Sequence, residues 1–229
     1  MLASEYKEIE MYMLNQMRDS AHDKHHVYRV LNFALDIAAV TDISDSDVLL
    51  AACLLHDIGR EKQFSDINIC HAQAGGDMAY EYLLSRRWPS VRASHVKECV
   101  STHRFRKNNR PKSIEAQILF DADKLDACGA LGIARTLIYG GQVAEPLYLL
   151  DDDEKIIAGG GGEEMSSFMQ EYNYKLKNVY TAFYTKRAKE IARKWQKTAI
   201  SFYDGLHMEI TSNYENGAKK HLTALLERT

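Results

Sequence analysis

The chain has 229 residues, 45% of them apolar and 27% charged, with a net charge of −3. Such a length allows one large domain with a substantial core. The charge lacks the basic character that general nucleic-acid binding requires, and no apolar run approaches the roughly 18 residues of a membrane span. Only three prolines (Pro89, Pro111 and Pro146) interrupt the chain, and so few helix breakers favour an all-α fold. Cys53, Cys70, Cys99 and Cys128 form no CxxC pair and read as reduced thiols, mostly buried. The opening Met1-Leu2-Ala3-Ser4-Glu5-Tyr6-Lys7-Glu8 is too charged to read as a signal peptide. The expected location is the cytoplasm.

In chain order, residues 4–19 read as a short amphipathic helix, broken at Ser20–Asp23, where Asp23 can cap the next. Val27, Val30, Leu31, Ala34, Ile37 and Ala38 then form the stripe of a half-buried helix. After a polar link, Val48-Leu49-Leu50-Ala51-Ala52-Cys53-Leu54-Leu55 is apolar on all sides, the mark of a helix in the centre of a bundle. It ends in His56-Asp57, with Gly59 as a stop. Residues 72–86 and 90–103 are two more helices parted near Trp88-Pro89. Residues 104–112 form a basic loop. Ser113 caps a helix through Ile118 and Leu125 that is expected to run on to Ile133 and Leu137. Residues 139–165 read as irregular, with an acidic run at 151–154 and four glycines at 159–162. They lack the Gly-Lys-Ser/Thr ending of a phosphate-binding loop. From Ser166 onward one long helix or two consecutive ones are expected. The organisation read from this pattern is a metal-binding helical core over 1–150, a flexible loop over 151–165, and a C-terminal helical extension of the same domain over 166–229. The fold class is an irregular all-α bundle with long C-terminal helices packed on it.

Three segments carry chemistry: His22-Asp23-Lys24-His25-His26, His56-Asp57-Ile58-Gly59, and Asp121-Ala122-Asp123-Lys124-Leu125-Asp126. A carboxylate at the end of an apolar helix is costly unless something compensates it. A divalent cation does so, and imidazole with carboxylate suits manganese, iron, nickel or zinc rather than calcium. Neighbouring helical residues point about 100° apart, so His56 and Asp57 share one ion only if it lies beyond the helix end. His26 faces the core edge beside Val30. Asp121 and Asp123 sit among apolar positions and need a cation or a hydrogen-bond partner. The alternative is that Asp121 and Asp126 face solvent and Lys124 pairs with one of them.

Together these segments resemble the HD superfamily of metal-dependent phosphohydrolases, whose ligands run H, then HD, then D. The long Asp-Ala-Asp segment and Tyr174-Lys175-Leu176-Lys177 are similar to its small bacterial YpgQ/YedJ-type branch. The resemblance implies His26, His56, Asp57 and Asp123 as ligands of one divalent transition metal, manganese first, with iron, nickel, cobalt and magnesium as alternatives. It implies a small phosphorylated substrate, most simply a nucleoside triphosphate or deoxynucleoside triphosphate, cleaved to monophosphate and pyrophosphate. It leaves open a monophosphate phosphatase, a two-metal cyclic-nucleotide phosphodiesterase, and a metal or nucleotide sensor without turnover. Arg60-Glu61 follows the HD pair where stringent-response hydrolases carry Glu-Asp, which argues against that substrate.

Around the metal, Asp57, His103, Glu61 and Lys124 are the catalytic candidates. His103 is suited to protonating a leaving oxygen and Glu61 to handling the attacking water. His71, Lys124, Arg104 and Arg106 are the substrate-binding candidates, since grouped cations suit a polyphosphate. Arg29 can brace Asp123 or Asp57. No membrane or nucleic-acid partner is expected. The C-terminal helices could form a homodimer or pack on their own chain.

Overall fold

The computed structural model describes residues 1–17, 24–104, 109–159, 167–215 and 218–227. The fold is all-α, and among the described residues the only strand-like feature is an isolated antiparallel bridge between Leu150 and Ile156. No helix among them is long and apolar enough to cross a membrane. They divide into two compact units: Met1–Asp126 with Ala182–Ala192, and Ala127–Thr181 with Arg193–Thr229.

The first unit contains α1 (Ala3–Gln16), α2 (Lys24–Ala38), α3 (Ser46–Leu55), α4 (Arg60–Ser65), α5 (His71–Ser85), α6 (Ser90–Thr102) and α7 (Ile114–Leu125). Its centre is α3. Asp45 caps this helix by accepting from the Asp47 and Val48 amides, and Val48, Leu49 and Ala51 through Leu55 are all buried. α3 packs on α1, α2, α6 and α7, which satisfies an apolar surface that runs all round the helix. Each leucine so buried stabilises the fold by about 2 kcal/mol.

α5 and α6 form an antiparallel hairpin. Trp88 N donates to Leu83 O and Arg87 N to Leu84 O, with Arg87 at φ 64°. That is a Schellman closure carried by a non-glycine residue, and Pro89 then starts α6.

The helix expected to pass through Leu125 to Leu137 instead stops at Leu125. Gly129 has φ +63°, a conformation no right-handed helix contains. A Cβ on Gly132 would lie 2.2 Å from the Ala127 carbonyl carbon. The two glycines therefore permit a tight break at Asp126–Cys128, and α8 (Gly129–Gln142) starts afresh. Upstream of the break, buried Asp121 accepts from Tyr184 N at 2.9 Å, Thr185 N at 2.7 Å and Thr185 Oγ1 at 2.7 Å. This carboxylate anchors the start of α11 (Lys186–Glu215) to α7.

In the second unit, α8 is followed by α9 (Phe168–Glu171), a π-helical turn (Tyr172–Leu176) and α10 (Lys177–Val179). Its core gathers Ile133, Phe168, Met169, Ala199 and Tyr203, with Tyr172 stacked on Tyr203. The C-terminal part of α11 and α12 (Ala218–Leu226) complete the chain. Part of the stretch read as irregular is ordered. Ile157 N donates to Leu149 O and Asp151 N to Lys155 O, both at 2.9 Å. The Asp151 side chain takes the amides of Asp153 and Lys155, so part of the acidic run builds a turn. Gly160–Gly162 lie outside the described residues.

Candidate metal centre

Five segments of the first unit converge on one buried cluster. The first turn of α2 supplies His26, and the end of α3 supplies His56 and Asp57. The first residue of α5 is His71, the residue after α6 is His103, and the last turn of α7 carries Asp123. The four histidines and Asp57 are at most 1% exposed, and Asp123 is 15% exposed. His26 Nε2 lies 3.2 Å from His56 Nε2, 3.4 Å from Asp57 Oδ2 and 3.5 Å from Asp123 Oδ1. On the other side of Asp57, Oδ1 lies 3.4 Å from His71 Nε2 and 3.6 Å from His103 Nε2.

Local structure explains why all four rings turn the same nitrogen inward. His56 and His103 stand at helix C-caps. There Nδ1–H donates to the carbonyl three residues back, Cys53 O at 2.8 Å and Val100 O at 2.6 Å. Those carbonyls belong to the last turn of each helix, where intrahelical donors run out. His71 Nδ1–H donates to Gln63 Oε1 at 2.6 Å, and His26 Nδ1–H donates to Asp126 Oδ2 at 2.8 Å. Each Nδ1 carries the proton, so each Nε2 presents a lone pair to the centre.

The carboxylates are held from outside. Arg60 Nε donates to Asp57 Oδ1 at 3.0 Å, and Lys124 Nζ to Asp123 Oδ2 at 2.7 Å. What faces inward is a set of acceptors with no proton to share. Asp57 Oδ2 and His71 Nε2 are buried without a hydrogen-bond partner. Clustered acceptors cost free energy unless a cation joins them. Two groups have ligand atoms within 4.8 Å of one another: His26, His56 and Asp123, and Asp57, His71 and His103. Asp57 stands between them, one oxygen toward each. This donor set fits a divalent transition ion.

Burial pushes the His56 imidazole down to about 4, against the pull of neighbouring Asp57. It pushes His71 down to about 2, with Arg60 helping. Burial alone would raise both carboxylates. The Arg60 charge and the imidazoles nevertheless hold Asp57 well below the usual carboxylate range, and Lys124 with the imidazoles does the same for Asp123. Near neutral pH the cluster therefore holds neutral imidazoles His56 and His71 beside ionised Asp57 and Asp123, the protonation states metal binding needs.

The four residues expected as ligands are brought together. His56 and Asp57 both reach the centre because the chain leaves the helix at His56. His71 and His103 join the same cluster. Lys124 lies against Asp123, and Arg104 Nη1 contacts Cys70 Sγ at 3.8 Å beside His71. Glu61 is exposed in the first turn of α4 and belongs to neither group. Arg106, His22 and Asp23 lie outside the described residues. Arg29, expected to brace Asp123 or Asp57, holds a third carboxylate. It grips Asp126 through Nε at 2.7 Å and Nη2 at 3.1 Å. Asp121 and Asp126 do not face solvent; both are fully buried. Sequence reading assigned no part in the site to Asp126, Arg60 or Gln63. The i, i+3 spacing of Asp123 and Asp126, and of Arg60 and Gln63, was the available signal.

Gly59 acts by close approach rather than as a left-handed stop: its φ is −83°. A Cβ there would lie 2.2 Å from His71 O and 2.6 Å from Gly75 N. Both are backbone atoms, so neither can swing away. Gly59→Ala is expected to destabilise the protein by on the order of 3 kcal/mol, read as a lower urea midpoint, and to separate Asp57 from His71.

The HD domain family matches residues 24–128, a span that contains every residue of the cluster. YpgQ of Bacillus subtilis (strain 168) is 31% identical over 133 residues, 56% of this chain and 62% of that protein. A crystal structure of a Lactobacillus plantarum protein superposes with TM-score 0.75 at 25% identity, covering 93% of this chain and 99% of that one. Bacillus subtilis YpgQ in complex with ADP gives TM-score 0.68 at 24% identity over 90% and 97%. A protein named as a predicted HD superfamily hydrolase, from an uncultured Thermotogales bacterium, gives 0.59 at 25% over 90% and 92%. Residues 24–128 thus match the HD domain family, and the chain is similar to a protein named as a predicted HD superfamily hydrolase.

Proposed function

We propose that the protein is a metal-dependent phosphohydrolase that cleaves nucleoside triphosphates, deoxy forms included, to monophosphate and pyrophosphate. One divalent ion, manganese first, is held by His26, His56, Asp57 and Asp123. The observation that carries this reading is the buried ring of inward Nε2 lone pairs around Asp57, whose Oδ2 has no hydrogen-bond partner. A nucleotide substrate is supported by YpgQ, a relative that has been crystallised with ADP. It is also supported by the cations on the partly exposed side of the cluster. Lys124 is 17% exposed and Arg60 24%, and each already faces a carboxylate.

When bound, the ion supplies Lewis acidity, acidifying water and polarising a phosphoryl oxygen. Lys124, Arg104 and Arg106 bind and orient the phosphates, so that in-line attack is mostly positioning and charge neutralisation, while His71, its Nε2 an acceptor, orders a water beside them. His103, whose inward Nε2 carries a lone pair, first takes a proton from the attacking water and then passes it to the leaving oxygen. Glu61, exposed in the first turn of α4, is kept as a candidate group for the attacking water.

The test is turnover. Protein reloaded with manganese is given a panel of ribo- and deoxynucleoside triphosphates, with pyrophosphate and orthophosphate resolved. Pyrophosphate plus monophosphate is the expected result. Orthophosphate released from monophosphates, with triphosphates untouched, would replace this reading with a phosphatase on the same site. Metal counted per chain by elemental analysis reports whether Asp57, His71 and His103 take a second ion.

A further inference from the structure

We infer that Asp126 is a positioning residue for the metal: it fixes His26 as a ligand from behind, and Arg29 holds it in place. The inference rests on the metal-centre reading above. His26 has a problem that His56 and His103 do not. Those two sit where their own helices end and use a carbonyl three residues back. His26 is the third residue of α2, at the end of a helix that offers free N–H groups and no free carbonyls. An acceptor for its Nδ1–H must come from elsewhere, and α7 provides one. Asp123 and Asp126 are three residues apart in and just after the last turn of α7, on one face. Asp123 points to the metal side of the His26 ring, 3.5 Å from Nε2. Asp126 reaches the back of the same ring, 2.8 Å from Nδ1.

Asp126 is not itself suited to be a ligand. It is 0% exposed. Oδ1 accepts from Arg29 Nε, and Oδ2 accepts from both His26 Nδ1 and Arg29 Nη2. The guanidinium offsets the burial of the carboxylate, leaving Asp126 to act through His26. Without it the His26 ring loses the carboxylate that holds its proton on Nδ1. A proton on Nε2 would then point at His56 Nε2, 3.2 Å away, where the ion must sit. A carboxylate behind a ligating imidazole also strengthens Nε2 as a donor, more than a carbonyl does.

The experiment measures Mn2+ affinity of the full chain, from the EPR signal of free Mn2+, for wild type, Asp126→Leu, Asp126→Asn and Glu115→Gln. Asp126→Leu is expected to weaken binding by about 10- to 100-fold. Asp126→Asn keeps an oxygen that accepts Nδ1–H and should lose less. Glu115 is equally buried and accepts from the Ser44 and Asp45 amides, away from the cluster. Its variant should bind like wild type, which separates positioning from general destabilisation. Ring 15N shifts of metal-free protein should place the His26 proton on Nδ1 in wild type and on Nε2 in Asp126→Leu. If the leucine variant fails to fold, unchanged affinity in Asp126→Asn overturns the inference. An equal loss in Glu115→Gln also overturns it. No Mn2+ binding by wild type would overturn the metal centre and this inference together. Binding without turnover would overturn only the substrate reading.

Discussion

Asp57→Ala is expected to lower hydrolysis by about 10³-fold or more, the scale of losing several kcal/mol of metal-supplied stabilisation. It is also expected to leave the purified protein without stoichiometric metal, while folded at neutral pH. Asp57 belongs to the group with His71 and His103 and turns its other oxygen toward His26 of the first group. Its Oδ2 lies 3.4 Å from His26 Nε2, and its Oδ1 lies 3.4 Å from His71 Nε2 and 3.6 Å from His103 Nε2. Losing His71 or His103 would leave the first group whole, and losing Asp123 would leave the second. Losing Asp57 takes the only carboxylate from the second group and the Oδ2 that faces His26 in the first. The fold should survive because Arg60, the charge left behind, is 24% exposed and can turn to water. What remains is a small cavity, worth about 1–3 kcal/mol. Asp57→Asn removes the charge and keeps the shape, and should lose metal nearly as completely. Metal content by elemental analysis and turnover under saturating manganese read both effects. Full activity in either variant would remove Asp57 from the chemistry and move the site elsewhere.

The sequence made the frame of this site legible because its main elements follow local rules. α3 is apolar on every face, so it had to be central, and its polar end had to be special. The helices around it were visible from their periodicity and from Trp88-Pro89. What stayed hidden were non-local contacts. Arg29 was read as a brace, but which carboxylate it grips depends on how α2 lies against α7. A solvent-facing Asp126 stayed open as an alternative because its spacing does not reveal that α2 covers it. The run from Ile114 to Leu137 kept helical periodicity across Asp126–Cys128. The break comes from Gly129 at φ +63° and from backbone approaching Gly132 to within a Cβ's reach. Gly59 was visible as a stop, yet its job is to let one backbone touch another. His71 and His103 were legible as site candidates. That they face the opposite oxygen of Asp57 from His26 is a fact of packing between α3, α5 and α6.

Metal-free protein should lose stability steeply as pH falls from about 6.5 toward 4, and bound metal should shift that loss to lower pH. The sign follows from proton counting. Burial holds His56 at about 4 and His71 at about 2, below the ordinary 6.5 that both regain on unfolding. Between those values the unfolded chain binds protons that the folded chain refuses, so stability rises with pH across the window. Each ring contributes a slope of up to about 1.4 kcal/mol per pH unit, and two rings act together. Below about pH 4, Asp57 and Asp123 add to the loss, because both are held under the usual carboxylate range when folded. Their contribution is present above the unfolded carboxylate value and disappears as pH drops through the folded one. A bound ion competes with protons for the same lone pairs and binds only the folded arrangement, so it should raise stability most where protons are scarce. Urea midpoints from about pH 7.5 to about pH 4.5, with chelator and with manganese, test this. A flat midpoint with chelator would mean that His56 and His71 take up protons inside the fold. The cluster would then hold imidazolium groups around Asp57, and its carboxylate would need no metal to balance it.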